Sequence, residues 1–186
     1  MATTGSSSSR FDLTPPWMKH SEEELVGGCV LDDEWNHFVE KFVLRAKRSH
    51  PPKIRKQLVD CGYYREILKS KGFEVPEMPI KNCVDFLFPT DPKGKLARLC
   101  ARYAAATIGA MKNMKLELVE AVRANMFRCY AKVFFLTFTV REKLSANQTP
   151  QTYQAIVALE ETLPDKYCIT VAYIRLKPEE EQSISP

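Results

Sequence analysis

Apolar side chains recur along this chain first with the period of a helix and then with the period of a strand. Leu31, Trp35, Phe38, Phe42 and Ala46 fall on one helical stripe, with Val39 and Val43 beside it. Asp32 and Asp33 suit the N-terminal end of that helix, where the backbone dipole is positive, and Arg45, Lys47 and Arg48 suit the opposite end. Pro51-Pro52 then stops it, because proline lacks an amide hydrogen and its ring clashes with the preceding turn. Residues 53–71 are predicted to hold one or two short helices, with Gly62 as a break and Gly72 as a C-terminal cap. Residues 73–90 carry Pro76, Pro79 and Pro89 and read as an extended connector.

Asp91-Pro92 offers an N-cap followed by proline at a first helical position. Leu96, Leu99, Cys100, Tyr103, Thr107, Ile108 and Met111 then recur at helical spacing. The small residues Ala101, Ala104, Ala105, Ala106, Gly109 and Ala110 let another surface come close, as a helix lying across a curved sheet requires. After Asn113 the period changes to two. Leu116, Leu118 and Val122 mark a first strand, and Phe127 to Val140 reads as one long second strand rich in aromatic and β-branched residues. One of its faces carries Cys129, Ala131, Val133, Phe135, Thr137 and Thr139, and the other Arg128, Tyr130, Lys132, Phe134, Leu136 and Phe138. Ser145 to Pro150 makes a turn. Tyr153 to Leu159 and Tyr167 to Leu176 are a third and a fourth strand, joined by a hairpin at Leu163-Pro164-Asp165.

Short connections favour an antiparallel meander. The expected fold class is therefore α+β: a long helix packed on a four-stranded antiparallel meander at residues 91–177. A helical extension at 17–75 and a connector at 76–90 precede it. Residues 1–16, rich in Ser and Thr, read as disordered, and residues 178–186 as an acidic tail.

Composition changes this picture little. Hydrophobic residues make up 45% and charged residues 27%, which excludes a wholly disordered or collagen-like chain. No apolar run approaches the roughly 18 residues of a membrane-spanning helix, so no membrane partner is expected. Charge is more informative, because it comes in blocks. Residues 12–40 hold eight acids against Lys19, a net of −7, and residues 41–72 hold ten bases against Asp60 and Glu66, a net of +8. The two blocks either attract each other or present a basic face to an acidic partner or nucleic acid. Nucleic acid is disfavoured, since no RNP, KH or zinc-finger pattern accompanies the bases.

The six cysteines (Cys29, Cys61, Cys83, Cys100, Cys129, Cys168) are widely spaced and form no C-x-x-C pair. Met1 to Arg10 has no apolar core of a secretory signal and is short for a transit peptide, so the expected compartment is cytoplasmic or nuclear. The cysteines then read as reduced, buried hydrophobes, and Asn147-Gln148-Thr149 as a loop. His20, His37 and His50 form no metal or protease pattern and read as surface residues. Cys100 and Cys129 sit in apolar periodic settings that oppose thiolate formation. No nucleophile elbow, phosphate loop or paired carboxylates occur. No enzyme activity, cofactor or metal is expected.

The stretch from Leu96 to Pro178 resembles the cystatin/monellin superfamily, in particular its plant members. Leu96-Ala97-Arg98 is similar to the opening of the plant cystatin helix. Leu116 to Val122, Leu136-Thr137-Phe138-Thr139-Val140 and Tyr153-Gln154-Ala155-Ile156-Val157 look like successive cystatin strands. Tyr63-Tyr64 to Phe73-Glu74-Val75 is similar to the N-terminal part of crucifer cystatin-like proteins of uncharacterised function. The resemblance implies a sheet wrapped around the helix. It also implies three contact points for papain-like cysteine proteases: an N-terminal glycine, a Q-x-V-x-G hairpin and a Pro-Trp hairpin. Here the central hairpin aligns with Phe127, Arg128, Cys129, Tyr130 and Ala131, without the glutamine or the glycine. The second holds Leu163 and Pro164 without a tryptophan. Leu25-Val26-Gly27-Gly28 looks like the glycine-bearing segment, yet Gly28 lies 68 residues ahead of Leu96, where the family places it close by.

These residues make a non-enzymatic protein-binding module the leading expectation, with Gly27, Gly28, the 127–131 hairpin and Leu163-Pro164 as candidate partner-binding residues. A divergent but active inhibitor of papain-like proteases, and a small-ligand binder using the sheet's concavity, are the alternatives. The apolar sheet face left by the helix needs cover, from Trp35, Phe38 and Phe42 or from a second copy of the chain.

Overall fold

The structure, a computed structural model, describes residues 32–76, 87–128, 131–143, 149–163 and 166–178. The expected disordered residues 1–16 and all of the acidic tail but Pro178 lie outside that set. Helix α1 (Asp32–Ser49) follows the apolar stripe: Trp35, Val39, Val43 and Ala46 are buried. It ends ahead of Pro51, which caps α2 (Pro52–Asp60) and places Pro52 at its first position. Gly62, with φ of 73°, turns the chain into α3 (Tyr63–Ser70). The C-cap of α3 is Lys71 in the left-handed region, rather than Gly72, which follows with φ of 90°. Glycine is required at 72 because a Cβ there would lie 2.6 Å from the ring of Phe135.

The proline-rich connector is not wholly extended loop. Phe88–Thr90 forms strand β1, which pairs antiparallel with Met126 to Ala124 of β2 (Leu116–Arg128). Proline at 89 is tolerated because β1 is an edge strand. The sheet therefore has five strands, not four. Its order is β1-β2-β3-β4-β5, with β3 at Lys132–Glu142, β4 at Gln151–Leu163 and β5 at Lys166–Leu176, and every neighbouring pair is antiparallel. Phe127 to Val140 is not one strand either: β2 ends at Arg128, which pairs with Lys132 at the start of β3.

Helix α4 (Lys95–Lys112) has 18 residues, as many as α1, so length does not single it out. Its N-cap is Gly94; Asp91 instead turns the chain beforehand, its Oδ1 accepting from the Lys93 amide at 2.9 Å. The face that meets the sheet is built from Ala97, Cys100, Ala101, Ala104, Ala105 and Ile108. Tyr103 and Met111, expected on that stripe, are 51% and 56% exposed. Small side chains take the buried arc because they let the helix backbone approach the sheet.

The sheet is covered on both faces. Phe134, Leu136, Phe138 and Val157 meet α4, while Val133, Phe135, Ile156 and Tyr173 meet α1, α3 and Phe73. Each such burial contributes roughly 1.5–3 kcal/mol. The Trp35 ring lies 5.5 Å from Phe135 and 6.1 Å from Tyr173, centroid to centroid, so the N-terminal helices themselves cover the second face.

Candidate functional site

Antiparallel order puts the ends of the β2–β3 and β4–β5 hairpins at one end of the sheet, and register sets their relative height. Lys132, the first residue of β3, pairs with Leu159, and β4 runs four residues further to Leu163, paired with Lys166. The β4–β5 arm thus overhangs the shorter hairpin by about 13 Å, at 3.3 Å per residue.

The candidate residues take different places in this arrangement. Phe127 points away from the tip. It is half-buried, and its ring meets Phe42 edge-to-face at 5.3 Å. Arg128 is exposed at the end of β2, and Ala131 is buried. Leu163 closes the β4–β5 ladder. Gly27, Gly28, Cys129, Tyr130 and Pro164 lie outside the described residues. The same end adds side chains that the sequence pattern did not mark. Exposed Lys166 and half-exposed Lys132 carry positive charge, and exposed Glu160 and Glu161 negative charge. Strand length was the missing signal, since the overhang depends on β4 continuing through residues that look like a polar loop.

Other polar and thiol groups are buried away from that end. Burial pushes the Cys100 thiol up to about 12, away from thiolate formation at neutral pH. His50, expected at the surface, is buried between helices, and its Nδ1 lies 2.7 Å from the Tyr64 hydroxyl. Burial also raises the Tyr64 phenol. Tyr63 ties α3 to the start of β1: its hydroxyl donates to the Leu87 carbonyl and accepts from the Leu87 amide, each at 3.0 Å. Among the described residues no group of three or more His, Cys, Asp or Glu is placed to hold a metal ion. None of their helices is long and apolar enough to cross a membrane.

Between α1 and the sheet lies an apolar cavity of about 30 Å³, bounded by Trp35, Phe38, Phe42, Phe127 and Phe135. Sites for drug-sized ligands run to roughly 300–1,000 Å³. No protein-family model matches the chain, and no curated protein matches it.

Proposed function

We propose that the chain is a non-enzymatic, cystatin-like protein-binding module whose contact surface is the paired hairpin end. The observation that carries this reading is the placement of the β2–β3 and β4–β5 hairpin ends side by side beyond a helix-backed antiparallel sheet. A rigid sheet presenting two hairpins of unequal height makes a stepped edge that can enter a cleft on another protein. Side chains at strand ends, such as Arg128, Lys132 and Lys166, are positioned by the ladder and bind at a smaller ordering cost. The cystatin resemblance of Leu96 to Pro178 supplies the precedent for that use.

The chemistry at the tips departs from the inhibitory pattern. The close backbone approach that a glycine permits is missing from residues 127–131, and no tryptophan anchor stands beside Pro164. Loss of such anchors removes most binding energy at an interface. The module is therefore assigned to recognition of another protein, charged-residue contacts from Arg128, Lys132 and Lys166 included.

The test is titration of a papain-like protease with the full chain to micromolar concentration, followed by affinity capture with the same chain. No inhibition is expected, together with capture of a partner that is lost when Arg128, Lys132 and Lys166 are all changed to Glu. Tight inhibition would replace this reading with that of an active inhibitor. Capture indifferent to the three substitutions would move the contact surface elsewhere.

A further inference from the structure

We propose that the solvent face of α1 is a docking site for an acidic amphipathic helix of a partner protein, separate from the hairpin end. Lys41, Leu44, Arg45, Arg48 and Ser49 line a surface hollow there of about 230 Å³. Leu44 lies nine residues after Trp35, about half a turn round the helix at 100° per residue. It therefore points away from the core that Trp35 fills, and it is 50% exposed. Leu44 therefore takes no part in the core that Trp35 fills.

The neighbours of Leu44 give the occupant its chemistry. Lys41, Arg45 and Arg48 stand at helical spacings of four and three, a row about 10 Å long. Like charges so spaced repel one another, a repulsion that the negative end of the helix dipole offsets only in the last turn, at Arg48. Among the described residues neither Lys41 nor Arg45 pairs with a carboxylate. A second helix carrying carboxylates at matching intervals would neutralise Lys41 and Arg45, and an apolar side chain between them would cover Leu44. A nucleic-acid backbone would satisfy the cations equally well but has no apolar group to seat on Leu44. Leu44 has Lys41, Arg45 and Arg48 on one side and exposed Glu40, four residues earlier, on the other, so the apolar contact beside the cationic side favours an acidic amphipathic peptide.

The probe is a fluorescein-labelled peptide of about 18 residues, long enough to be helical, with Leu and Glu at amphipathic spacing. Fluorescence anisotropy with the full chain follows its binding. Controls are the same peptide with each Leu replaced by Ser and a DNA duplex of equal charge. A second form of the chain carries Glu22→Gln, Glu23→Gln and Glu24→Gln, so that its own acidic segment does not compete. Binding to either form is expected, weakened roughly tenfold by Leu44→Ser and at least tenfold by Lys41→Glu with Arg45→Glu. Circular dichroism checks that these exposed substitutions leave the helices intact. Binding confined to the glutamine form supports the site and shows that the chain's own acids compete for it. Absence of binding to both forms overturns the proposal. So does DNA or Ser-peptide binding as tight as that of the probe, with Leu44→Ser without effect; α1 would then be a plain polyanion surface.

Discussion

Asn125, near the C-terminal end of β2, donates from Nδ2 to the backbone carbonyl of Phe73, 2.8 Å away, and this bond pins the helical layer to the sheet. The same amide donates to the Gly72 carbonyl at 3.1 Å, and Asn125 is almost fully buried. Both carbonyls belong to the corner where the chain leaves α3, which has no strand partner to satisfy them. Asn125→Ala leaves both without this donor and is expected to cost about 1–3 kcal/mol in urea unfolding. The Oδ1 of Asn125 has no hydrogen-bond partner among the described residues, which holds the loss toward the lower end of that range. A variant as stable as the parent would show that the corner is held by apolar packing alone.

Trp35 performs the corresponding apolar task. Its ring contacts Phe38, Phe135 and Tyr173, and its Nε1 donates to the Lys71 carbonyl at 3.2 Å. Trp35→Ala opens the seam between α1 and the sheet and is expected to cost roughly 3–5 kcal/mol. Leu44→Ala, at the opposite pole of the same helix, is expected to stay within about 0.5 kcal/mol. Chemical denaturation of the pair measures both values. Equal effects would contradict the assignment of Leu44 to the solvent side.

The contrast between Trp35 and Leu44 also shows what could be read from the sequence. The stripe from Trp35 to Ala46 was legible because one face is uniformly apolar over three turns. The hairpin between Arg128 and Lys132, which the cystatin resemblance places at residues 127–131, was hidden from the strand periodicity for a geometric reason. Its register pairs Phe127 with Val133 and Arg128 with Lys132, odd with odd and even with even. Face alternation therefore runs through the turn unbroken, and no glycine or proline marks the turn. Strand β1 was hidden by Pro89, which reads as a strand breaker unless the strand is known to be an edge. In α4 the bulky residues Tyr103 and Met111 drew the stripe toward the wrong side, although the alanines beside them already implied close approach. His50 looked exposed next to two prolines, yet those prolines bend the chain so that it meets Tyr64. Of the candidate binding residues, Arg128 and Leu163 reach the hairpin end, and Phe127 turns inward to Phe42. The overhang of β4 rests on its register with β3, which is a long-range property.

Cysteine reactivity should follow burial. Cys168 is exposed on β5, whereas Cys100 is buried on the sheet-facing side of α4. At pH 8, iodoacetamide is expected to label Cys168 in the native protein and to leave Cys100 unlabelled until the fold opens. The pH dependence of stability has a definite sign. The Cys100 thiol is pushed from 9.0 up to about 12, and burial also raises the Tyr63 and Tyr64 phenols above 10.0. A raised folded-state value means that the contribution of the neutral group is complete below the unfolded-state value and is lost as pH climbs toward the folded one. Thermal stability is thus expected to fall from about pH 9 upward, with Cys100→Ala softening the decline at its lower end. Labelling of Cys100 as fast as Cys168, or a melting temperature flat to pH 11, would count against a closed α4–sheet layer.

Gly109 tests how closely that layer is packed. It lies buried in the last turn of α4, and its carbonyl accepts the Met114 amide at 2.8 Å as the chain turns back toward β2. In an ordinary helix interior, replacing glycine by alanine gains about 1 kcal/mol. Here a Cβ would stand 2.7 Å from the carbonyl oxygen of Met114, a backbone atom fixed by that same turn. Relief requires the start of β2 to move away from the helix, which disturbs the contacts of Leu116 with the core beneath α4. Overpacking of this kind typically costs about 1–3 kcal/mol, enough to reverse the gain in propensity. Gly109→Ala is therefore expected to lower the melting temperature by several degrees, at roughly 2–4 °C per kcal/mol for a chain of this size. Ala110→Gly, one residue further on and exposed, should lose only the propensity difference of about 1 kcal/mol. A melting temperature raised by Gly109→Ala would mean that the turn from α4 to β2 yields easily, and that its close approach does not constrain the sheet.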